Sequence, residues 1–273
     1  MPTLTSQAAA FLELHRRERP LLMANAWDEG SARLFASLGF EAVATTSSGY
    51  AATLGRLDYD VDRDQALAHG AALAAAAGVP VSADLENGFA DDPEGVAETV
   101  RLARRAGLAG CSVEDWSPSG QRIYDLEHAV ERVAAAAAAA HDGDGGLVLT
   151  ARAENHLRGI EDLDDTIERL RRYEKAGADV LYAPAVDSAE EITAIVNALE
   201  SPVNVLARPA VPTVQELAEI GVGRVSVGGS FAFVSLAAAA DAARELLEQG
   251  TYDFTARALE GSRLARRAFA ATS

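Results

Sequence analysis

"RRAGLAGCSVEDWSPSGQR", residues 104–122, contains one complete structural beat. A basic helical end stops at Gly107, the residue type that most easily adopts the left-handed turn closing a helix. An apolar run follows from 108 to 113 and ends in Glu114 and Asp115, before a Ser-Pro-Ser-Gly turn. The same beat recurs along the chain. Apolar runs lie at 20–27, 42–46, 79–86, 108–115, 147–154, 180–186, 203–208 and 222–229. Helical patterns lie between and after them, at 29–38, 62–77, 93–106, 124–140, 161–176, 188–199, 213–220 and 231–249. Eight such beats predict an α/β fold, a (β/α)8 TIM barrel, with 1–273 forming a single domain. A doubly wound sheet is the alternative, but it normally carries a glycine fingerprint after its first strand, and none is present. The alanine tract 134–140 reads as helix, because alanine is the best helix former. Residues 251–270 form an amphipathic helical extension, expected to cover the barrel's own bottom or to pack on a neighbouring subunit.

The composition narrows the function. With 49% apolar residues, the 273-residue chain has ample material for a large core. A formal charge of −17 argues against nucleic acid and anionic membranes as partners. No apolar run approaches a membrane span, and 1–20 lack the pattern of a signal peptide. The single cysteine allows no internal disulfide, which fits a reducing cytoplasm. The only lysine, Lys175, stands at a predicted helix C-terminus, where a cation complements the helix dipole. Schiff-base chemistry needs a desolvated lysine in the site, so that class of barrel aldolase is excluded.

Barrel enzymes place functional groups at the C-terminal ends of their strands. Those ends carry Asn25 and Trp27, the segment 46–49, Asp84 and Glu86, Glu114 and Asp115, Arg152 and Glu154, Arg208, and the segment 228–230. Side chains alternate along a strand, so Ser82, Asp84 and Glu86 share one face, as do Ser112 and Glu114, and Thr150, Arg152 and Glu154. The same parity turns Cys111 toward the helices as a packing residue. Asp84, Glu86 and Glu114 suit a hard cation such as Mg²⁺, which takes oxygen ligands and keeps several waters. Alternatively, these acids form a polar plug neutralised by arginines. There is no histidine cluster for zinc; His15, His69, His128 and His141 are expected at the surface. Trp27 and Trp116 either wall a pocket or pack at the rim. Arg208 either meets a substrate's distal carboxylate or bridges Glu86 or Glu154. Gly228, Gly229 and Ser230 open a helix, as a phosphate cradle or as a close strand–helix contact.

At these residues the sequence resembles the isocitrate lyase/phosphoenolpyruvate mutase superfamily. The resemblance runs through 25–58, "SADLENGF" (82–89), "SVEDW" (112–116), "TARAENHLRG" (150–159) and "GVGRVSVGG" (221–229). It implies a (β/α)8 barrel whose last helix is swapped between subunits, in a homotetramer built as a dimer of dimers. It also implies a small carboxylate substrate, an α-keto acid or its enolate, bound through Mg²⁺, with Mn²⁺ able to substitute. By resemblance, Asp84 contacts the metal and Glu86 and Glu114 hold its waters, while Arg152 faces the substrate carboxylate and oxyanion. Ser48 and Gly49 fall in the segment that cradles the carboxylate, and Asp58 matches an aspartate on the gating loop.

The chain departs from the superfamily's isocitrate and methylisocitrate lyases. Their Lys-Cys-Gly-His loop is replaced by "SPSGQRIYD" (117–125), and a glutamate is missing from "YAPAV" (182–186). The loop also lacks the lysine common in phosphonate-active members. What remains is keto-acid binding without an evident acid on the loop, which is enough for decarboxylation because CO₂ leaves without a protein base. Water, Tyr50 or His156 is then left to protonate the enolate. The expected activity is a Mg²⁺-dependent C–C lyase or decarboxylase on a small 2-oxo or 2-hydroxy acid, with oxaloacetate leading. P–C bond chemistry and a catalytically reduced metabolite-binding oligomer are the alternatives.

Overall fold

The computed structural model describes residues 6–143 and 146–270. Eight parallel strands close into a barrel in sequence order: β1 (Leu21–Ala26), β2 (Val43–Thr45), β3 (Val81–Asp84), β4 (Gly110–Glu114), β5 (Val148–Arg152), β6 (Val180–Tyr182), β7 (Val203–Leu206) and β8 (Arg224–Ser226). β8 returns to β1, with Leu21 opposite Arg224 and Met23 opposite Ser226. Each strand falls inside an apolar run read from the sequence. The helices are bounded locally: Asp28, Asp62, Asp92, Asp162, Ser188 and Thr213 each accept a backbone N–H of the following first turn. Gly78 ends its helix at φ 70°, in the left-handed region predicted for it.

One side of the sheet is apolar. Ala83, Cys111, Val113, Leu149, Ala151, Leu181 and Val205 pack outward against the helices in one continuous core. Cys111 is fully buried there, and burial pushes its thiol pKa up, so it is packing material and no nucleophile. The inward side is polar, carrying Ser82, Thr150, Asn204, Arg224 and Ser226, all buried, and the half-buried Ser112. Most barrels fill this space with branched apolar side chains.

The bottom of the barrel corrects one sequence expectation. It is closed by a helix at Ser6–Leu14, ahead of the first strand, whose Phe11, Leu12 and Leu14 join Leu21, Met23, Ala109, Val148 and Val180. Gly110 in the opening stretch makes room for it, because a Cβ there would lie 2.8 Å from the Phe11 ring. The C-terminal helix Phe254–Ala270 does not cover the bottom; its end packs on the helix Glu29–Ser37 of the same chain.

His15 is a second correction. Expected at the surface, it is 2% exposed. Its Nδ1 lies 2.8 Å from the Phe11 carbonyl, and its Nε2 lies 3.2 Å from Nη1 of Arg224. Both contacts fit a neutral ring that donates from Nδ1 and accepts at Nε2. Burial and the adjacent Arg224 lower its pKa from 6.5 to about 3. The unfolded chain therefore takes up a proton below pH 6.5 that the folded chain refuses until about pH 3. The His15 contribution is complete above that window and is lost as pH falls through it, by roughly 5 kcal/mol in all. Urea unfolding at pH 7 and pH 4 is expected to show a steeper loss for the native chain than for His15→Gln. Equal losses would clear His15 of the effect.

Candidate active site

The barrel ladder brings the acidic strand ends together. Asp84 stands opposite Ser112, and Glu114 opposite Arg152. Arg152 is the hub: Nη1 donates to Asp84 Oδ1 at 3.0 Å, Nη2 reaches Glu114 Oε2 at 3.0 Å, and Nε donates to Glu154 Oε1 at 3.0 Å. Burial opposes its charge, but Glu154, Glu114 and Asp84 outweigh that and hold its pKa well above the usual value. The second oxygen of Asp84 accepts from the Ser47 hydroxyl at 3.1 Å. The residues feeding this point line a cavity of about 180 Å³ at the mouth, among them Ser47, Ser48, Asp58, Asp84, Arg152 and Tyr182.

Two adjacent acids in the opening stretch have opposite fates. Glu114 points inward. Asp115 points outward, where Arg169 and Tyr173 hold its Oδ2 at 3.2 and 2.5 Å, and its Oδ1 accepts the backbone N–H of Glu154 at 2.8 Å. Asp115 thus fixes the end of β5 and does no chemistry of its own. Tyr59 and Arg158 were not singled out in the sequence. The Tyr59 hydroxyl donates to Glu114 Oε1 at 2.6 Å and accepts from Arg158, which also lies 3.6 Å from Glu154 and stacks over Trp116. Tyr59 adopts φ 68°, and the only sequence signal for it is its position next to Asp58.

The charge balance points to a cation. Asp58, Asp84, Glu86, Glu114 and Glu154 surround two guanidinium groups, Arg152 and Arg158, and with Arg224 deeper in the same cavity the excess is two formal negative charges. Glu86 has the least compensation: burial, then Asp84 and Asp58, push its pKa up to about 8. Burial and Asp84 also raise Asp58. The cavity lining contributes oxygen donors and no His or Cys, the donor set of a hard divalent cation. Asp84 would be the residue to hold it, with the Asp58 and Glu86 carboxylates close enough to Asp84 to feel its charge. Among the described residues no three acidic, His or Cys side chains converge on one point, so Asp84, Glu86 and Glu114 form no closed cage. Mg²⁺ commonly needs only one or two carboxylates together with water and substrate oxygens.

Other expected site residues are dispersed. Ser48 and Asp58 line the cavity; Glu86 faces a neighbouring cleft beside Tyr59 and Asn87. Gly49 gives its N–H to the Thr46 hydroxyl as a helix cap, and a Cβ there would strike Thr46. Trp27 packs on Phe35, and Tyr50 stacks on His69 at 3.8 Å; neither lines the cavity. His156 is also outside the lining, with Nε2 buried and unpartnered among the described residues. Arg208 bridges neither Glu86 nor Glu154; it pairs with Asp187 at 3.4 Å. Gly229 fits the close-contact reading, since a Cβ there would lie 2.6 Å from both Phe233 and Ser48.

Residues 11–247 match the profile of the family described as phosphoenolpyruvate phosphomutase. The chain belongs to that family. This family member is 34% identical over 237 residues to an uncharacterized protein of Mycobacterium tuberculosis, covering 86% of this chain and 88% of the relative. It is 32% identical over 215 residues to the oxaloacetate decarboxylase of Paraburkholderia xenovorans, covering 75% of this chain and 70% of that enzyme. A crystal structure from Burkholderia cenocepacia, provisionally described as a lyase/mutase, superposes with a TM-score of 0.91 at 50% identity, over 95% of this chain and 94% of the other. The phosphomutase-family chain is thus a lyase of the isocitrate lyase/phosphoenolpyruvate mutase superfamily. No described helix is long and apolar enough to cross a membrane.

Proposed function

We propose that this lyase breaks the C–C bond beta to the keto group of a small 2-oxo diacid, with oxaloacetate the leading substrate and Mg²⁺ the metal. The observation that carries this reading is the cavity lining: Arg152 and Asp84 are present, and no Cys, Lys or His is. Loss of CO₂ needs no protein base. The bond to the departing carboxylate breaks, its electron pair moves into the enolate of pyruvate, and the enolate carbon then takes a proton. Arg152, fixed by three carboxylates, supplies positive potential where the enolate oxygen gains charge. Ser47 and Ser48, which line the cavity, would take the substrate's carboxylate, and Asp58 in the same lining would return the proton. A bound Mg²⁺ supplies Lewis acidity toward the keto oxygen.

Purified protein given oxaloacetate is expected to release pyruvate faster than free Mg²⁺ does, and EDTA is expected to abolish the difference. Release at the free-metal rate would remove oxaloacetate. The family profile then favours P–C bond chemistry, and phosphonopyruvate becomes the substrate to assay.

The chain's last two helices favour a homo-oligomer. The helix Ser230–Arg244 buries only Ala232, while Phe233, Val234, Leu236, Leu247 and Leu259 are exposed. We infer that two copies cover these faces by exchanging the terminal helix, whose packing on Glu29–Ser37 would then be made on the partner subunit, and that dimers pair into a tetramer. Light scattering is expected to give an oligomeric mass, reduced in a Val234→Asp/Leu247→Asp chain. A monomeric native chain would contradict this. The single buried Cys111 accords with placing the enzyme in the reducing cytoplasm.

A further inference from the structure

Below the Arg152 cluster lies a charge that the proposed reaction does not use. Arg224 at the start of β8 is 3% exposed and projects into the barrel. Its Nε donates to Asn204 Oδ1 at 2.8 Å, its Nη2 to Thr150 Oγ1 at 3.2 Å, and its Nη1 lies 3.2 Å from His15 Nε2. An arginine has five N–H donors, so two have no acceptor among the described residues. No carboxylate pairs with it either; the titratable groups acting on it are Tyr182, Arg152 and the neutral His15, and the two acids of the cavity lining, Asp58 and Asp84, are not among them. Burial lowers its pKa only to about 10, which leaves it a cation at neutral pH.

A buried charge without a counter-charge costs several kcal/mol, and a group that can lose its proton usually does so. Arginine cannot, and its basic neighbour His15 has already been forced neutral. Yet Arg224 lines the cavity that opens at the mouth, together with Asn204, Ser82, Ser112 and Ser226. Ser112 already donates to Asp84 and the Asn204 amide to Ser226, so the neutral donors left beside the positive charge are the Ser82 and Ser226 hydroxyls. The whole cavity is about 180 Å³, where one water's share of liquid volume is about 30 Å³. The space under Arg152 therefore suits a particle of a few atoms at most.

We propose that the chamber between Arg224 and Arg152 binds one small monovalent inorganic anion of chloride's size, which supplies the counter-charge the chain lacks. Crystals of the full chain soaked in sodium bromide should show an anomalous peak within hydrogen-bonding reach of Arg224. In solution, replacing sodium gluconate by sodium chloride at equal ionic strength should raise the thermal midpoint. The rise should be roughly 5 °C at a hundredfold excess over the dissociation constant. Arg224→Met should lose this dependence. Should the Met variant fail to fold, Arg224→Lys, which keeps the charge, should retain it, and the bromide peak in the native chain is read independently. No bromide peak together with equal midpoints in both salts overturns the proposal. Chloride that raises KM for the keto acid without raising the midpoint also overturns it, by assigning the position to the substrate's own carboxylate.

Discussion

Arg152→Lys is expected to fold, to bind keto acid weakly, and to turn over about 10²–10³-fold more slowly than the native chain. The reason is geometric. Arg152 uses three nitrogens at once, on Asp84, Glu114 and Glu154. A lysine ammonium is a single point on a flexible stem and cannot hold the three carboxylates apart while facing a fourth on the substrate. The charge is kept, so the cost falls on orientation. Steady-state kinetics should show a larger loss in kcat than in KM, with circular dichroism unchanged. A kcat within about threefold of native would remove Arg152 from the chemistry and leave it as the neutraliser of a polar plug.

The second large effect is expected from Asp84→Asn. The amide preserves the shape and the Ser47 contact but removes one negative charge from the group around Arg152 and Arg158. Pyruvate release above the free-metal background is expected to fall by at least about 10³-fold, since a metal position and an Arg152 partner are weakened together. A reading independent of turnover is thermal: Mg²⁺ should raise the melting midpoint of the native chain and not that of the variant. An equal Mg²⁺-induced rise in both would move the metal away from Asp84, with Glu86 the next residue to substitute.

The sequence exposed this site unevenly. Strand positions and helix starts are written in short-range pattern, so the eight strands and the inward parity of Asp84, Glu114 and Arg152 could be read directly. Cys111 followed from the same parity. His15, Tyr59 and Arg158 could not be read this way. "FLELHRRER" looks like a solvated terminus, and the burial of His15 depends on Arg224, 209 residues away. Tyr59 is 55 residues from Glu114, on a loop whose left-handed backbone has no periodicity. Arg208 is a case of the same kind: of its two readings, the bridge to Glu86 or Glu154 gives way to a pair with Asp187, before the next helix. Pattern gives the direction of a side chain on a regular element; it does not give the partner chosen across the barrel.

The floor of the barrel has a consequence for synthesis. The helix Ser6–Leu14 is made long before β8, and the contact of the adjoining His15 with Arg224 forms only after β8 has been made. At about 5–20 residues per second, those 209 residues take on the order of ten to forty seconds. During that interval the Phe11, Leu12 and Leu14 face lacks its complete binding surface, and the first and last strands cannot close the sheet. The nascent chain must therefore carry this helix with its apolar face open until β8 has been made. Its apolar face is the kind of surface a holding chaperone covers.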